Sequence, residues 1–167
     1  MDYQLLMAWP ARQSGASIVL PLPTGWIGIT TSAEVGRAAR AHPVLSGSCG
    51  PVLVVPGDPV HWVFLAEAGS DPLAVSLAPP GVGLLRPPHE VLLPPSETGF
   101  GRVRWANPPL ANQRWLPTST SVLRAIHEVL RRQWRFPDGR SLPSTGSPGA
   151  AMTPAEHPVQ RPVVNFP

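Results

Sequence analysis

A histidine at the start of a strand-like run is the residue of this chain best placed to do chemistry. The stretch PGDPVHWVFL, residues 56–65, leads from a proline-rich turn into a β-branched and aromatic run, which is typical of a strand. Its histidine, His61, is either a strand-end residue with a satisfied hydrogen bond or a group that faces a ligand. In the second case its ring nitrogens would supply hydrogen bonds to that ligand.

Two arginines and a serine further along the chain are the other candidate binding residues. Arg102 and Arg104 alternate with Val103 and Trp105 in GRVRW, so the pattern places both arginines on one side of a strand. Such a pair is either solvated or attracts a phosphate backbone. Ser96 follows a double proline, where a turn residue is expected.

The sequence has no further motif for a catalytic or metal site. It lacks the phosphate-binding GxxxxGK[ST] loop, the GxGxxG fingerprint, HExxH and GxSxG. The histidines show no ligand spacing and no two aspartates lie close together, so a two-metal carboxylate site is not indicated. The single cysteine excludes an internal disulfide and a cysteine-rich zinc site. We therefore predict no catalytic residue, no metal and no cofactor.

Composition sets the broad class of the protein. The chain has 167 residues, 43% hydrophobic and 14% charged, which suits one domain with a real core. Its 24 prolines favour short strands and loops. All 13 basic residues are arginine, but a net charge of +3 is weak evidence for nucleic-acid binding. The start lacks a signal-peptide pattern and no apolar run reaches membrane-spanning length, so we expect a cytoplasmic protein with no membrane partner.

Two segments have the periodicity of amphipathic helices. The first covers 31–42, with Thr31 and Glu34 at the spacing of a capping box. The second covers 119–134 and carries a continuous apolar stripe. Its last turns contain three arginines that suit the negative end of the helix dipole, at positions 131, 132 and 135.

Strand-like segments make up most of the rest and indicate an α/β (α+β) fold. Segments 51–56 and 60–66 are predicted to pair as a hairpin. Further strands are predicted at 16–22, 26–30, 82–87, 90–96 and 101–106. The expected architecture is a single domain over 16–136, with a mixed or mainly antiparallel sheet packed by two principal helices. Residues 1–15 are assigned to an N-terminal segment, and 137–167 to a Pro/Gly/Ser-rich disordered tail.

The order of these pieces resembles a known family. LPTG, a strand, AEVG at the start of a helix, GPVLVVPGDPVHWVFL and VLLPPSETGFGRVRW follow one another in this chain. This order is similar to that of the N-terminal domain of bifunctional primase-polymerases, in the archaeo-eukaryotic primase superfamily. The resemblance covers roughly residues 16–116 and is to a small, diverged, single-domain version. The order and the Pro-Pro-Ser at 94–96 carry it.

The resemblance implies roles for three positions. In that family a strand after the PTG turn carries metal-binding aspartates, and a later strand carries a histidine that contacts nucleotide phosphates, which His61 matches. A further acid lies upstream of the Pro-Pro-Ser. The acids are not matched: Thr30 stands nearest the first, and Gly83 and Leu84 stand near the other. Nucleotidyl transfer needs carboxylates to hold its metals, so the resemblance implies the fold without polymerase chemistry.

The sequence as a whole therefore predicts a catalytically degenerate primase-polymerase-like domain in an accessory or regulatory role. The resemblance and the arginine pattern together assign nucleotide binding to His61, Ser96, Arg102 and Arg104, with DNA or a nucleotide as partner. Two alternatives stay open. One is a protein-interaction module that keeps only the fold and binds partners through the proline-rich tail or an apolar patch. The other is an active DNA primase/polymerase, which the missing aspartates disfavour.

Overall fold

A computed structural model of the chain describes residues 3–69, 78–111 and 115–135. Within these ranges the fold is a mixed α+β arrangement of antiparallel sheets and helices. The helices are α1 (Tyr3–Met7), α2 (Ala33–Arg40) and α3 (Ser119–Arg135), with a single 3₁₀ turn at Pro43–Leu45. The strands are β1 (Arg12–Ser14), β2 (Ser17–Pro21), β3 (Trp26–Ser32), β4 (Val52–Val55), β5 (His61–Glu67), β6 (Gly83–Leu85), β7 (Glu90–Leu93), β8 (Glu97–Thr98), β9 (Gly101–Arg102) and β10 (Arg104–Asn107).

A five-stranded sheet in the order β10-β4-β5-β3-β6 forms the centre of the fold. Every pairing in it is antiparallel, and β3 and β5 pair along their whole length. A three-stranded sheet in the order β1-β2-β7 and the short β8–β9 hairpin complete the strands. The predicted fold class is confirmed, and so is the predicted antiparallel pairing within 51–56 and 60–66.

One face of the five-stranded sheet is covered by α2 and α3. Ile29 of β3 and Phe64 of β5 are fully buried on this face, because alternate residues of a strand project to the same side. They belong to one apolar cluster with Val122 and Ile126 of α3. The stripe predicted for the second helix therefore faces the sheet, as its 3.6-residue period requires.

The other face carries a second core that extends to the N-terminus. Leu53 and Val63 project to this side and join an apolar cluster with residues of β2 and β7. Tyr3 and Trp9 are each 3% exposed in the same cluster, and Trp9 meets Trp26 edge-on at a ring-centroid distance of 5.5 Å. The compact unit therefore includes residues that the sequence assigned to a separate segment, 1–15.

The start of α2 differs from the prediction by one residue. Thr31 is still part of β3; it is 2% exposed, and its hydroxyl donates to the carbonyl oxygen of Ser32 at 2.8 Å. Ser32 is the N-cap instead, and its hydroxyl accepts from the backbone N–H of Val35 at 3.4 Å. Pairing of β3 with β5 runs as far as Ser32 opposite His61, so the helix begins only after that pair.

Two of the predicted segments lie wholly or partly outside the described residues. The predicted disordered tail, 137–167, lies wholly outside them, and the prediction that a protein partner binds this tail concerns the same residues. The stretch 67–81, which the sequence predicts as a loop with one weak element, is described only at its two ends. In the part of the chain that the structure describes, no helix is long and apolar enough to cross a membrane.

Candidate nucleic-acid interface

One end of the five-stranded sheet collects most of the candidate residues. β5 begins there at His61, directly opposite Ser32, the last residue of β3. β10 begins there at Arg104, and β6 begins there at Gly83. Neighbouring strands of this sheet run in opposite directions, so the first residues of some strands and the last residues of others meet at the same end of the sheet. We call this end of the sheet the arginine end.

Helix α3 brings two more arginines to the arginine end. The helix begins beside Glu67, the last residue of β5, and runs back along the sheet. Near its C-terminus, Gln133 donates a hydrogen bond of 2.9 Å to Glu34 in the first turn of α2. Because α2 follows directly on β3, this contact places the exposed Arg131 and Arg132 at the same end.

His61 and the arginine pair lie on opposite faces of the sheet. Val54 of β4 stands opposite both Arg104 and Trp62, and residues directly opposite one another share a face. His61 is the neighbour of Trp62 in β5, so its side chain projects to the other side. The histidine is exposed there, and one cleft lined by His61 and both arginines does not form.

The three positions singled out by the family resemblance do fall on adjacent strands. Thr30 of β3 stands opposite Gly83 of β6 on one side and Val63 of β5 on the other. His61 is two residues from Val63 and shares its face. A side chain at position 83 would meet the hydroxyl of Thr30, which already fills that space. In the ranges the structure covers, no three His, Cys, Asp or Glu side chains are grouped closely enough to hold a metal.

The arginine pair lines an open cavity of about 430 Å³ at the edge of the sheet. Its wall is partly apolar: Phe100 is 70% exposed and Val60 is 38% exposed, both high values for large apolar side chains. The cavity therefore combines cationic side chains with an exposed aromatic ring. Its lining residues are Val54, Pro56, Val60, Phe100, Gly101, Arg102 and Arg104.

The two arginines are not equivalent. The Nε atom of Arg102 donates to the carboxylate of Glu97 at 2.5 Å, in an exposed ion pair across the β8–β9 hairpin. Arg104 is exposed and has no ion-pair partner among the residues that the structure describes. The single strand predicted over 101–106 is interrupted at Val103, which is 2% exposed. Both arginines nevertheless reach the same cavity.

Phe100 lies in the two-residue turn of the β8–β9 hairpin. The hydroxyl of Thr98 accepts from the backbone N–H of Phe100 at 3.1 Å and lies 3.1 Å from the carbonyl oxygen of Pro56. These contacts fix the turn against the end of β4. Phe100 is not among the binding residues predicted from the sequence, although an aromatic residue in a tight turn between two pairing segments, ETGFGR, is a visible signal.

Ser96 is buried and has a structural role. It is 1% exposed; its hydroxyl accepts from the N–H of Ile18 at 2.7 Å and donates to the carbonyl oxygen of the same residue at 3.0 Å. Pairing of β2 with β7 ends at Ile18 opposite Leu93, and the serine bonds the backbone groups of Ile18 at this end of the pairing. With both hydrogen-bonding roles occupied, this hydroxyl is not available to a nucleotide, which corrects the predicted binding role.

Comparison of the chain with protein-family models, with curated proteins and with solved structures finds no match. Any inference about function depends on the residues of the arginine end themselves. Two kinds of group meet there: guanidinium groups, which bind phosphate, and an exposed aromatic ring, which binds planar apolar surfaces.

Proposed function

We propose that this chain is a primase-polymerase-like domain that binds nucleic acid in an accessory role and does not catalyse nucleotide transfer. The observation that carries the proposal is the cavity at the arginine end, where Arg102 and Arg104 stand beside the exposed Phe100. A guanidinium presents several N–H donors in a fixed plane and pairs well with phosphate oxygens. Arg104 offers these donors without a competing carboxylate among the described residues.

The proposal that polymerase chemistry is absent is supported by the pair Thr30 and Gly83. These residues stand opposite each other where the resemblance would place carboxylates, and neither can hold Mg²⁺ or Mn²⁺ as a carboxylate does. Without such ligands, the charge that develops on a transferring phosphate is not offset by bound metal. Phosphate binding has no such requirement, because it needs only donors and positive charge.

Binding is tested by titrating the protein with labelled DNA oligonucleotides at several salt concentrations. We expect affinity to fall steeply with salt, and Arg104→Ala to reduce the slope of log K against log[salt] by about 0.7–0.9, the value of one phosphate contact. The affinity at low salt should fall about tenfold, as expected for one charged hydrogen bond. Affinity that does not depend on salt would contradict the proposal.

Arg86→Ala is the matched control for this measurement. Arg86 is also exposed and follows β6, the edge strand on the other side of the sheet from β10, so the substitution removes the same charge from a distant site. We expect its affinity to stay within about twofold of the parent, since a distant charge is screened. His61→Ala should behave similarly, because His61 projects from the other face of the sheet.

The missing chemistry is tested with Mn²⁺, labelled nucleotides and a primed template. The parent protein should incorporate no label, since no carboxylate pair is available at Thr30 and Gly83. Incorporation by the parent above the level of a heat-denatured sample would show an active enzyme and overturn this part of the proposal.

A further inference from the structure

We infer that Phe100 is a base-stacking residue: an unpaired base stacks on its ring while Arg104 holds an adjoining phosphate. The inference rests on the proposed function and adds a recognition mode to it. It assigns to the cavity a strand of nucleic acid whose bases are not already paired. Stacking on an aromatic ring is independent of base identity, because every base has a π-face.

The exposure of Phe100 is the first observation behind this inference. Phe64, which belongs to the core, is fully buried, whereas Phe100 is 70% exposed at the hairpin turn. A phenylalanine that keeps 70% of its surface in water contributes little apolar burial to the fold. A ring that is left in solvent beside two guanidinium groups is suited to a ligand that is both planar and anionic.

The second observation is that the backbone that carries the ring is held in place by hydrogen bonds before any ligand binds. The N–H of Phe100 is bonded to the hydroxyl of Thr98, which also lies against the carbonyl oxygen of Pro56. The base of the hairpin is closed by a hydrogen bond of 2.9 Å from Val103 N–H to the carbonyl oxygen of Ser96. Stacking of a ligand on Phe100 therefore costs little conformational entropy of the protein, because the turn is already ordered.

The third observation is the distribution of charge around the ring. Arg102 is paired with Glu97, so the pair carries no net charge and braces the hairpin. Arg104 lines the same cavity as Phe100 and, among the described residues, has no acidic partner. A phosphate next to the stacked base can therefore bind Arg104 while the base covers the ring. Duplex DNA can make the phosphate contact with Arg104 but not the stacking contact with Phe100, because its bases are stacked inside the helix.

The test compares three labelled oligonucleotides of one length: single-stranded DNA, the same backbone with abasic sites throughout, and a duplex. Fluorescence anisotropy at fixed low salt gives the affinity of each. We expect the parent to prefer the normal single strand over the abasic strand by about 5- to 100-fold, the effect of one stacked base. Binding of the duplex should not change in Phe100→Ala, because its bases are already stacked inside the helix and it offers only phosphates to the cavity.

The variants separate stacking from charge. Phe100→Ala and Phe100→Leu should bind the abasic strand as the parent does and lose the preference for bases, whereas Phe100→Trp should keep it. Arg104→Ala should weaken binding of all three oligonucleotides and leave the preference intact. Phe100→Leu also keeps apolar bulk, so a preference that survives in it would show ordinary apolar contact and overturn the stacking role. Because the ring is exposed, these variants should fold, which urea denaturation checks.

The two proposals fail in different ways in this experiment. If the parent binds all three oligonucleotides equally and binding depends on salt, the stacking inference is wrong and the proposed function stands. If the preference for bases persists in Phe100→Ala, the base stacks elsewhere and the inference is also wrong. If none of the oligonucleotides binds, the proposed function itself fails.

Discussion

At the scale of single residues, Ser96 connects the three-stranded sheet to the β8–β9 hairpin that carries Phe100. Its hydroxyl is bonded twice to Ile18 of β2, while its carbonyl oxygen accepts from Val103 at the base of the hairpin. One residue thereby bonds to the middle strand of the three-stranded sheet and also positions the hairpin. From the sequence, the serine after a double proline resembled an exposed turn residue, because the contact with Ile18 spans 78 positions and no local pattern contains it.

Ser96→Ala should lower the free energy of unfolding by about 1–3 kcal/mol, since it leaves part-buried backbone groups of Ile18 without the serine hydroxyl as their partner. Urea denaturation measures the change. Ser14→Ala, in the exposed strand β1, is the matched control and should change stability by less than about 0.5 kcal/mol. Equal effects of the two substitutions would mean that the Ser96 bonds contribute nothing to stability.

At the scale of elements, the contact between α2 and β5 depends on the absence of a side chain. A Cβ atom at Gly36 would lie between 2.5 and 2.8 Å from three atoms of the Trp62 side chain, so the helix backbone rests directly on the indole. The helical periodicity of 31–42 was enough to predict an amphipathic helix. It gave no indication that a glycine on that helix meets a tryptophan from a strand 26 positions away, because helix periodicity says nothing about the partner surface.

Gly36→Ala should therefore destabilise the protein by about 1–3 kcal/mol, although alanine is the better helix former by about 1 kcal/mol. The methyl group must push the helix away from Trp62, and the first atom it meets is the Cβ of that residue, which cannot move aside alone. Thermal or urea denaturation gives the change. Gly99→Ala is the control, because a Cβ at Gly99 meets no atom within 4 Å. A Gly36→Ala variant as stable as the parent would show that the helix can shift freely.

At the scale of the whole molecule, the two faces of the five-stranded sheet are covered by different kinds of element. Helices α2 and α3 cover one face, and the N-terminal residues with the three-stranded sheet cover the other. The sequence predicted the first layer because helix periodicity and strand alternation are local signals. The second layer depends on long-range contacts, such as the hydrogen bond from Tyr3 to the carbonyl oxygen of Pro94, and so was not predicted. The site residues divide in the same way. Local strand alternation predicted the arginine pair, whereas only the strand register shows that His61 and Arg104 lie on opposite faces of the sheet.

Burial of Tyr3 in the N-terminal segment predicts that the stability of the fold depends on pH, and the ultraviolet absorbance of this tyrosine follows the change. Burial raises the pKa of Tyr3 above its usual value near 10, an effect partly offset by the hydrogen bond from the indole of Trp105. Because the folded pKa is the higher one, the stabilisation is fully present below pH about 10 and is lost as pH rises through the folded pKa. Tyr3 is the only tyrosine, so the ultraviolet absorbance of tyrosinate follows it alone. The tyrosine of the native protein should titrate at a higher pH than that of the urea-unfolded protein. Coinciding titration curves would show that the N-terminal segment does not pack against the core.

The close approach of Thr30 to Gly83 makes substitutions at the two positions interdependent. The threonine hydroxyl occupies the space in which a side chain at position 83 would stand. An acid introduced at 83 therefore requires the threonine to turn or be replaced first, so the order of substitutions matters. An engineer who wants a pair of carboxylates on these neighbouring strands has to change position 30 before position 83.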